Sequence, residues 1–226
     1  MTVPVRLDLH VHSRYSPDSR VPVDAFVNHL GAVGLNGFAL TDHNTVGGHG
    51  ELGALAQRHP EVLLVPGVEV STIEGHLLVY GIREAPPPRR ELAETVSWVQ
   101  AHGGEAVPAH PFRWTHGVGG RVAQSAPVSA LETTNGHNSR RANLRASRLA
   151  TARKLGATGG SDAHTLADLG RAFTEVPDGT ASVDELLEAI RRGRSLAGGG
   201  PAPLALRVRL VARSTALRIR RGFRTV

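Results

Sequence analysis

Apolar residues gather into short runs that alternate with longer stretches in which they recur every three or four positions. The short runs, bounded by Gly, Pro and polar residues, predict strands at residues 3–9, 37–40, 62–70, 76–80, 106–111, 129–132, 156–160 and 171–176. The periodic stretches predict helices at 25–32, 50–58, 91–101, 140–155 and 182–192. In the first of these Phe26, Val27, Leu30 and Val33 share a face and Gly34 is a stop; in the last, Ser182 caps ahead of Glu185. Strands that alternate with helices imply a mostly parallel sheet, either closed as a barrel or open and doubly wound.

Composition narrows the picture. With 226 residues and 40% hydrophobic content, one large core is within reach, and a single domain over residues 1–200 followed by a basic tail at 201–226 is expected. There is no cysteine, so disulfides and thiolate sites are excluded and any metal must be held by His, Asp and Glu. No apolar run approaches the roughly 18 residues of a membrane span and the start lacks a signal-peptide pattern, so a cytoplasmic protein is expected. The formal charge is +6, yet residues 204–226 hold seven Arg and no acid; removing those seven charges leaves residues 1–203 at −1.

Candidate chemistry begins at His10 and His12. In a strand, residues i and i+2 point to one side, so two imidazoles aim together, as a metal ion with donors at about 2.0–2.2 Å requires. Asp162 and His164 repeat the spacing after the strand at 156–160. His43, Glu69 and His110 also fall at predicted strand ends. Donors at strand ends from both halves of the chain favour a closed barrel, which gathers those ends at one rim, over an open sheet, which spreads them along a line. Each residue has a structural alternative: His43 as a turn cap, Glu69 in a salt bridge, His76 as a core histidine, His110 as a loop residue, Asp18 as a turn former. Asp42 could orient His43 or cap the turn. For substrate, Arg113, Asn135 and His137 could face the rim, and Arg140 or Arg141, at the start of a helix with a basic face of Arg141, Arg145 and Arg148, could reach a phosphate. His29, His49, His59, His102 and His116 match no motif and read as surface residues.

The motifs Asp8-Leu-His-Val-His12, Tyr15-Ser-Pro-Asp-Ser19, Thr41-Asp-His-Asn-Thr45, Gly67-Val-Glu69, Gly75-His76, Ala109-His-Pro111 and Gly160-Ser-Asp-Ala-His164 together resemble the PHP (polymerase and histidinol phosphatase) domain family over roughly residues 8–198. The resemblance implies a distorted (β/α)7 barrel holding two or three divalent metal ions, usually Mn, Zn or Fe, that hydrolyses phosphoesters. It assigns one metal to His10, His12, Glu69 and Asp162, a second to Glu69, His76 and His110, and a third to Asp18, His43 and His164. Some relatives have Ser-Asp-Gly where this chain has Ser-Pro-Asp-Ser, which bears on Asp18 and the third position. On this reading His10, His12, Glu69, Asp162 and His164 carry catalysis: water between two cations loses a proton near neutral pH and attacks phosphorus.

The expected activity is a metal-dependent phosphoesterase acting on a small phosphorylated metabolite or nucleotide. The alternatives are a 5′-to-3′ exonuclease or oligonucleotide phosphodiesterase that holds nucleic acid through the basic tail, and a non-catalytic metal-binding module. A module retired from catalysis has no reason to keep every donor. The tail alternates like a strand at 204–210 but also suits a helix face, and could pack back on the barrel with its Arg in water.

Overall fold

The computed structural model describes residues 3–203, with 208, 212, 215–217 and 219. Those described tail positions are helical, and the rest of the basic tail lies outside the described residues. The chain runs β1 (Val5–Val11), α1 (Val23–Val33), β2 (Gly37–Leu40), α2 (His49–Arg58), β3 (Leu63–Ser71) and β4 (His76–Tyr80). It continues through α3 (Leu92–Ala101), β5 (Glu105–Pro108), α4 (Gly119–Ser125), β6 (Ala130–Asn135) and α5 (Arg140–Arg153). It finishes with β7 (Gly156–Gly160), β8 (Ala172–Val176), α6 (Val183–Arg191) and β9 (Leu196–Gly199).

Seven strands form one curled sheet in the order β5-β4-β3-β2-β1-β8-β9, and β6 pairs with β7. The β6–β7 pair bridges β5 and β1, so β1 to β7 follow one another around a distorted barrel. At the seam His12 donates its backbone N–H to Ala163 O (2.9 Å) and Ala163 donates to His10 O (3.2 Å).

The sheet is not mostly parallel. The pairs β1/β2, β2/β3 and β6/β7 are parallel, but β4 is antiparallel to both β3 and β5, and β8 to both β1 and β9. Only residues 72–75 join β3 to β4, too few for the crossover of a dozen or more residues that a parallel partner needs. Two elements had no sequence signal: α4 opens with two glycines and β9 is Leu-Ala-Gly-Gly, compositions that favour neither helix nor strand by themselves.

Local signals elsewhere hold. Gly34 closes α1 in the left-handed conformation (φ 69°), and Ser182 and Glu185 form a capping box on α6. Inside the barrel Leu7, Leu9, Ala39, Val65, Leu78, Tyr80 and Val107 pack with Leu186, Leu187 and Ile190 of α6, while Tyr80 donates its hydroxyl to Leu9 O (3.0 Å). The apolar side chains of β1 alternate with Asp8, His10 and, just beyond the strand, His12.

β7 lies so close to β1 that a Cβ on Gly160 would sit 2.7 Å from His10 N and 3.1 Å from His10 Cα. Gly160→Ala is expected to cost about 1–3 kcal/mol by forcing the two backbones apart. At about 2–4 °C per kcal/mol for a chain of this size, a thermal melt reads it. An unshifted midpoint would contradict the close approach of β7 to β1.

Candidate metal centre

The curled sheet delivers polar side chains to one mouth. His10 leaves the end of β1, with His12 just past it and Asp18 in the following loop. His43 follows β2 and bridges to Glu69 in β3. His110 follows β5, and Asp162 and His164 follow β7. His76 is the first residue of β4, and because β4 runs antiparallel to β3 its start lies where its neighbours end.

Glu69 is the hub. It is buried, and its Oε1 lies 2.7 Å from His76 Nδ1 and 3.0 Å from His110 Nε2. Its Oε2 lies 3.1 Å from His43 Nδ1, 3.2 Å from His12 Nε2 and 3.3 Å from His10 Nε2. Asp162 Oδ1 faces the same pair from the other side, 3.3 Å from His12 Nε2 and 3.5 Å from His10 Nε2. Asp18 Oδ2 lies 3.3 Å from both His43 Nε2 and His164 Nε2. Ligand atoms within 4.8 Å of one another form the groups His10–His12–Glu69, His10–His110–Asp162, His43–Glu69–His76 and His12–Asp18–His43–His164.

A further layer holds these rings. Glu132, which sequence reasoning passed over, accepts from His10 Nδ1 (2.9 Å) and from the His110 backbone N–H (2.6 Å), turning His10 Nε2 inward. Its signal in the sequence was one acid at the end of an apolar strand. Asp8 accepts from the backbone N–H groups of His10 (3.2 Å), Ser161 (2.8 Å) and Gly170 (2.9 Å), tying β1 to the loop that carries Asp162. Asp42 accepts from the Ser13 amide (2.6 Å) and hydroxyl (2.8 Å), which ties the loop after β2 to the loop after β1, a role that neither of its two sequence readings named.

The residues expected to meet substrate separate into three kinds. Arg113 stands at the rim with Nη2 2.6 Å from both Asp162 Oδ2 and Asn135 Oδ1, and Nε 3.1 Å from Asn138 Oδ1. His137 faces the cluster, Nδ1 3.9 Å from Asp162 Oδ2 and its ring stacked 5.7 Å from that of His164. Asn135 does not face the rim: it is buried, donating to Glu132 (3.1 Å) and Asp162 (3.4 Å) and accepting from Arg113 and the His137 N–H. Arg140 and Arg141 are exposed on the first turn of α5 and make no hydrogen bond or ion pair to the cluster.

Backbone strain marks the mouth. Asn44 (φ 53°), His110 (φ 31°), His116 (φ 63°) and Asp162 (φ 59°) all adopt positive φ without being glycine. Asp162 therefore reaches the site through a left-handed turn and not, as its spacing to His164 suggested, along an extended strand.

Four carboxylates, Asp18, Glu69, Glu132 and Asp162, meet here, and among the described residues Arg113, paired with Asp162, is the one permanently charged cation in contact with any of them. Burial works against the charge on Glu69, but His76, His10 and His43 hold it well below the usual carboxylate range. Asp162 is likewise held well below, against burial, by His10 and Arg113. Burial lowers His10, yet Asp162, Glu132 and Glu69 outweigh it and hold the ring well above its usual value. His12, also opposed by burial, is raised to about 9 by Asp162 and Glu69. Burial wins at His43, at about 4, and at His110, at about 3 with Arg113 adding to it. The site calls for positive charge at its centre. His10 Nε2 and His12 Nε2 are buried, aimed at that centre, and make no hydrogen bond. Imidazole nitrogens and carboxylate oxygens around common points, with outer carboxylates fixing the rings, suit divalent transition metals.

Comparison with known proteins agrees with this arrangement. A model of the PHP domain matches residues 8–104, and one described as PHP-associated matches residues 140–195. The uncharacterized protein MJ1587 of Methanocaldococcus jannaschii is 30% identical, over 48% of this chain and 68% of its own length. Among solved structures, a two-domain protein from Bacteroides vulgatus containing a predicted PHP-like metal-dependent phosphoesterase superposes with a TM-score of 0.71 at 20% identity, over 88% of this chain and 66% of that one. This chain thus spans about two thirds of the length of each of those two proteins. PsfC from Pseudomonas syringae gives 0.70 at 21% identity, covering 97% and 99% of the two chains. The lesion-specific endonuclease EndoQ from Pyrococcus furiosus gives 0.65 at 19%, covering 87% of this chain and 59% of that one.

Asp8→Ala is expected to strand the buried N–H of Ser161, at about 1–3 kcal/mol for a buried unsatisfied group, and to free the partly buried N–H of Gly170. Chemical denaturation should therefore show a loss of about 2–3 kcal/mol by that same scale. A loss below about 1 kcal/mol would mean the Asp162 loop does not depend on this anchor.

Proposed function

The chain belongs to the PHP domain family, and from that premise we propose that it is a metal-dependent phosphoesterase acting on a phosphate ester of a small metabolite or nucleotide. The observation that carries the proposal is the convergence of buried imidazoles on Glu69 and Asp162, with the Nε2 atoms of His10 and His12 lacking hydrogen bonds. His10, His12, Glu69 and Asp162 would hold one ion, Glu69, His76 and His110 a second, and Asp18, His43 and His164 a third. His12 also borders the third group and His43 the second. When bound, two or three ions of Mn, Zn or Fe supply an acidified water and positive charge against the phosphate oxygens.

The chain's own residues prepare that chemistry. Glu132 fixes the tautomer and direction of His10, and Ser16 Oγ lies 3.2 Å from His12 Nδ1, holding the neighbouring ring. Arg113, half-buried and braced by Asn135 and Asn138, presents a guanidinium at the rim, where a phosphate oxygen could replace Asp162 as its partner. His137 flanks the same edge. Arg140 and Arg141 would act only on a substrate long enough to leave the mouth.

A second reading, an oligonucleotide phosphodiesterase or exonuclease, draws on the seven Arg of residues 204–226 and on the shared fold with an endonuclease. Among the described residues no helix is long and apolar enough to cross a membrane.

The test is a phosphate-release screen with Mn-loaded protein over nucleotides, bisphosphates, sugar phosphates and histidinol phosphate, alongside metal analysis. His10→Ala and Asp162→Ala are each expected to lower bound metal and to reduce turnover to background. Glu132→Gln should weaken metal binding by about 10–100-fold, read by titration. Protein that binds no divalent metal and releases no phosphate would overturn the proposal. Deleting residues 204–226 should abolish oligonucleotide cleavage while sparing small substrates if the second reading holds.

A further inference from the structure

Between His110 and α4 the chain forms a loop that borders the mouth through Arg113 and His116, and Trp114 between them is 99% exposed. Single exposed apolar residues are ordinary on protein surfaces, but both sides of this one are fastened to the site. On one side Arg113 bonds Asp162 at 2.6 Å. On the other, His116 stacks on His76 with ring centroids 4.7 Å apart and planes 20° from parallel, and its carbonyl accepts from the His76 N–H at 2.9 Å. The loop is also closed on itself, with Arg113 N–H donating to His110 O (2.8 Å) and Gly119 N–H to Pro111 O (2.9 Å). Phe112, next to Arg113, lies under the guanidinium of Arg145 at 4.4 Å, which fastens the loop to α5.

The loop that carries the indole is therefore braced against the site through Arg113 and His116, and Trp114 is exposed from a fixed backbone and not from a slack one. A second large apolar residue, Ile73, is 68% exposed on the β3–β4 turn, whose Gly75 packs against the backbone of residues 116–118. An exposed aromatic residue one position from Arg113, beside a centre that would take a phosphate once its metal ions are bound and next to an α5 face of exposed Arg, fits a ligand that is flat and aromatic at one end and anionic at the other. That is a nucleotide unit. Every base has a π-face, so stacking on Trp serves any of them, and a ring already fixed in place loses little entropy on binding.

We infer that Trp114 is a base-stacking platform, and hence that the phosphoester held at this mouth belongs to a nucleotide unit with an unpaired base. This deepens the phosphoesterase reading and rests on it for the reaction, though not for the binding. The base comes from a free nucleotide or from a single-stranded oligonucleotide, two sources that share the same stacking chemistry.

The chain has two tryptophans, so a Trp98→Phe background leaves Trp114 as the sole indole reporter. With that protein, Mn-loaded, adenosine monophosphate or a short oligodeoxynucleotide is expected to quench the fluorescence saturably, whereas ribose 5-phosphate and inorganic phosphate are not. Whichever of the two binds more tightly identifies the source. In the full chain, Trp114→Ala should lower the ratio of kcat/KM for a nucleotide over that for the matching base-free sugar phosphate by about 5–150-fold, the worth of one stacked base. Trp114→Phe should keep most of that ratio, and since the side chain is exposed both variants should melt with the parent. Quenching that does not distinguish nucleotide from base-free phosphate, or a ratio that Trp114→Ala leaves in place, overturns the inference. Quenching by nucleotides without any phosphate release would uphold the platform and overturn the hydrolytic reading; phosphate release without base preference would do the reverse.

Discussion

Everything at the mouth of this barrel answers to one buried carboxylate. Glu69 has two oxygens, and imidazoles from five places in the chain approach them within 2.7–3.3 Å. Neutral imidazoles each have one N–H to give, and several already spend a nitrogen elsewhere: His10 on Glu132, His12 beside Ser16. The rings thus cannot all be satisfied as hydrogen-bond donors to Glu69. Protons or metal ions must make up the difference, and the upward pull on His10 and His12 is the same demand expressed in protons. A core-like stabilising role accounts poorly for such an arrangement, since uncompensated buried charge costs several kcal/mol per ion.

That demand explains the shape of the sheet. A wholly parallel barrel would give each strand's end to the mouth and its start to the floor. Reversing β4 puts His76, at a strand start, beside Glu69 and His110, and it needs only the four-residue turn of 72–75. Bringing β7 against β1 places the Asp162 loop opposite His10, at the expense of side chains in β7, which is Gly-Ala-Thr-Gly-Gly. The floor is correspondingly apolar, with Tyr80 and α6 filling the interior below the polar layer.

What could be read from the sequence follows from how local each cause is. The histidines at 10 and 12 declare themselves because a strand's two-residue period is a local rule, and Glu69 and His110 because they end apolar runs. Asp162 and His164 were legible as a motif but for a different geometric reason, since the left-handed turn at Asp162 does the aiming. Glu132 looked like any acid at a strand end; its role exists only through residues 122 and 22 positions away in the chain. Asn135 was expected at the rim because it follows a strand, yet β6 extends through it and its amide is consumed by Glu132, Asp162 and Arg113. The glycine-rich β9 owes its pairing with β8 to tertiary contact, as does the antiparallel course of β8, and neither is written in local propensity.

Arg113 shows why a static list of partners understates what this mouth can do. Its guanidinium has five donors and a planar fork, and the structure directs three of them, from Nε and Nη2, at Asn138, Asn135 and Asp162. Asp162 Oδ2 is the charged partner among them, while Oδ1 faces the imidazoles of His10 and His12. On the proposed function, positive charge arriving among those imidazoles would compete with Arg113 for the same carboxylate, and an incoming phosphate would compete with that carboxylate for Arg113. The two exchanges would favour each other, since each would release the partner that the other takes. Filling the centre and seating an anionic substrate at the rim would thus be coupled through one carboxylate, with Asn135 and Asn138 keeping the arginine in place while its charged partner changes.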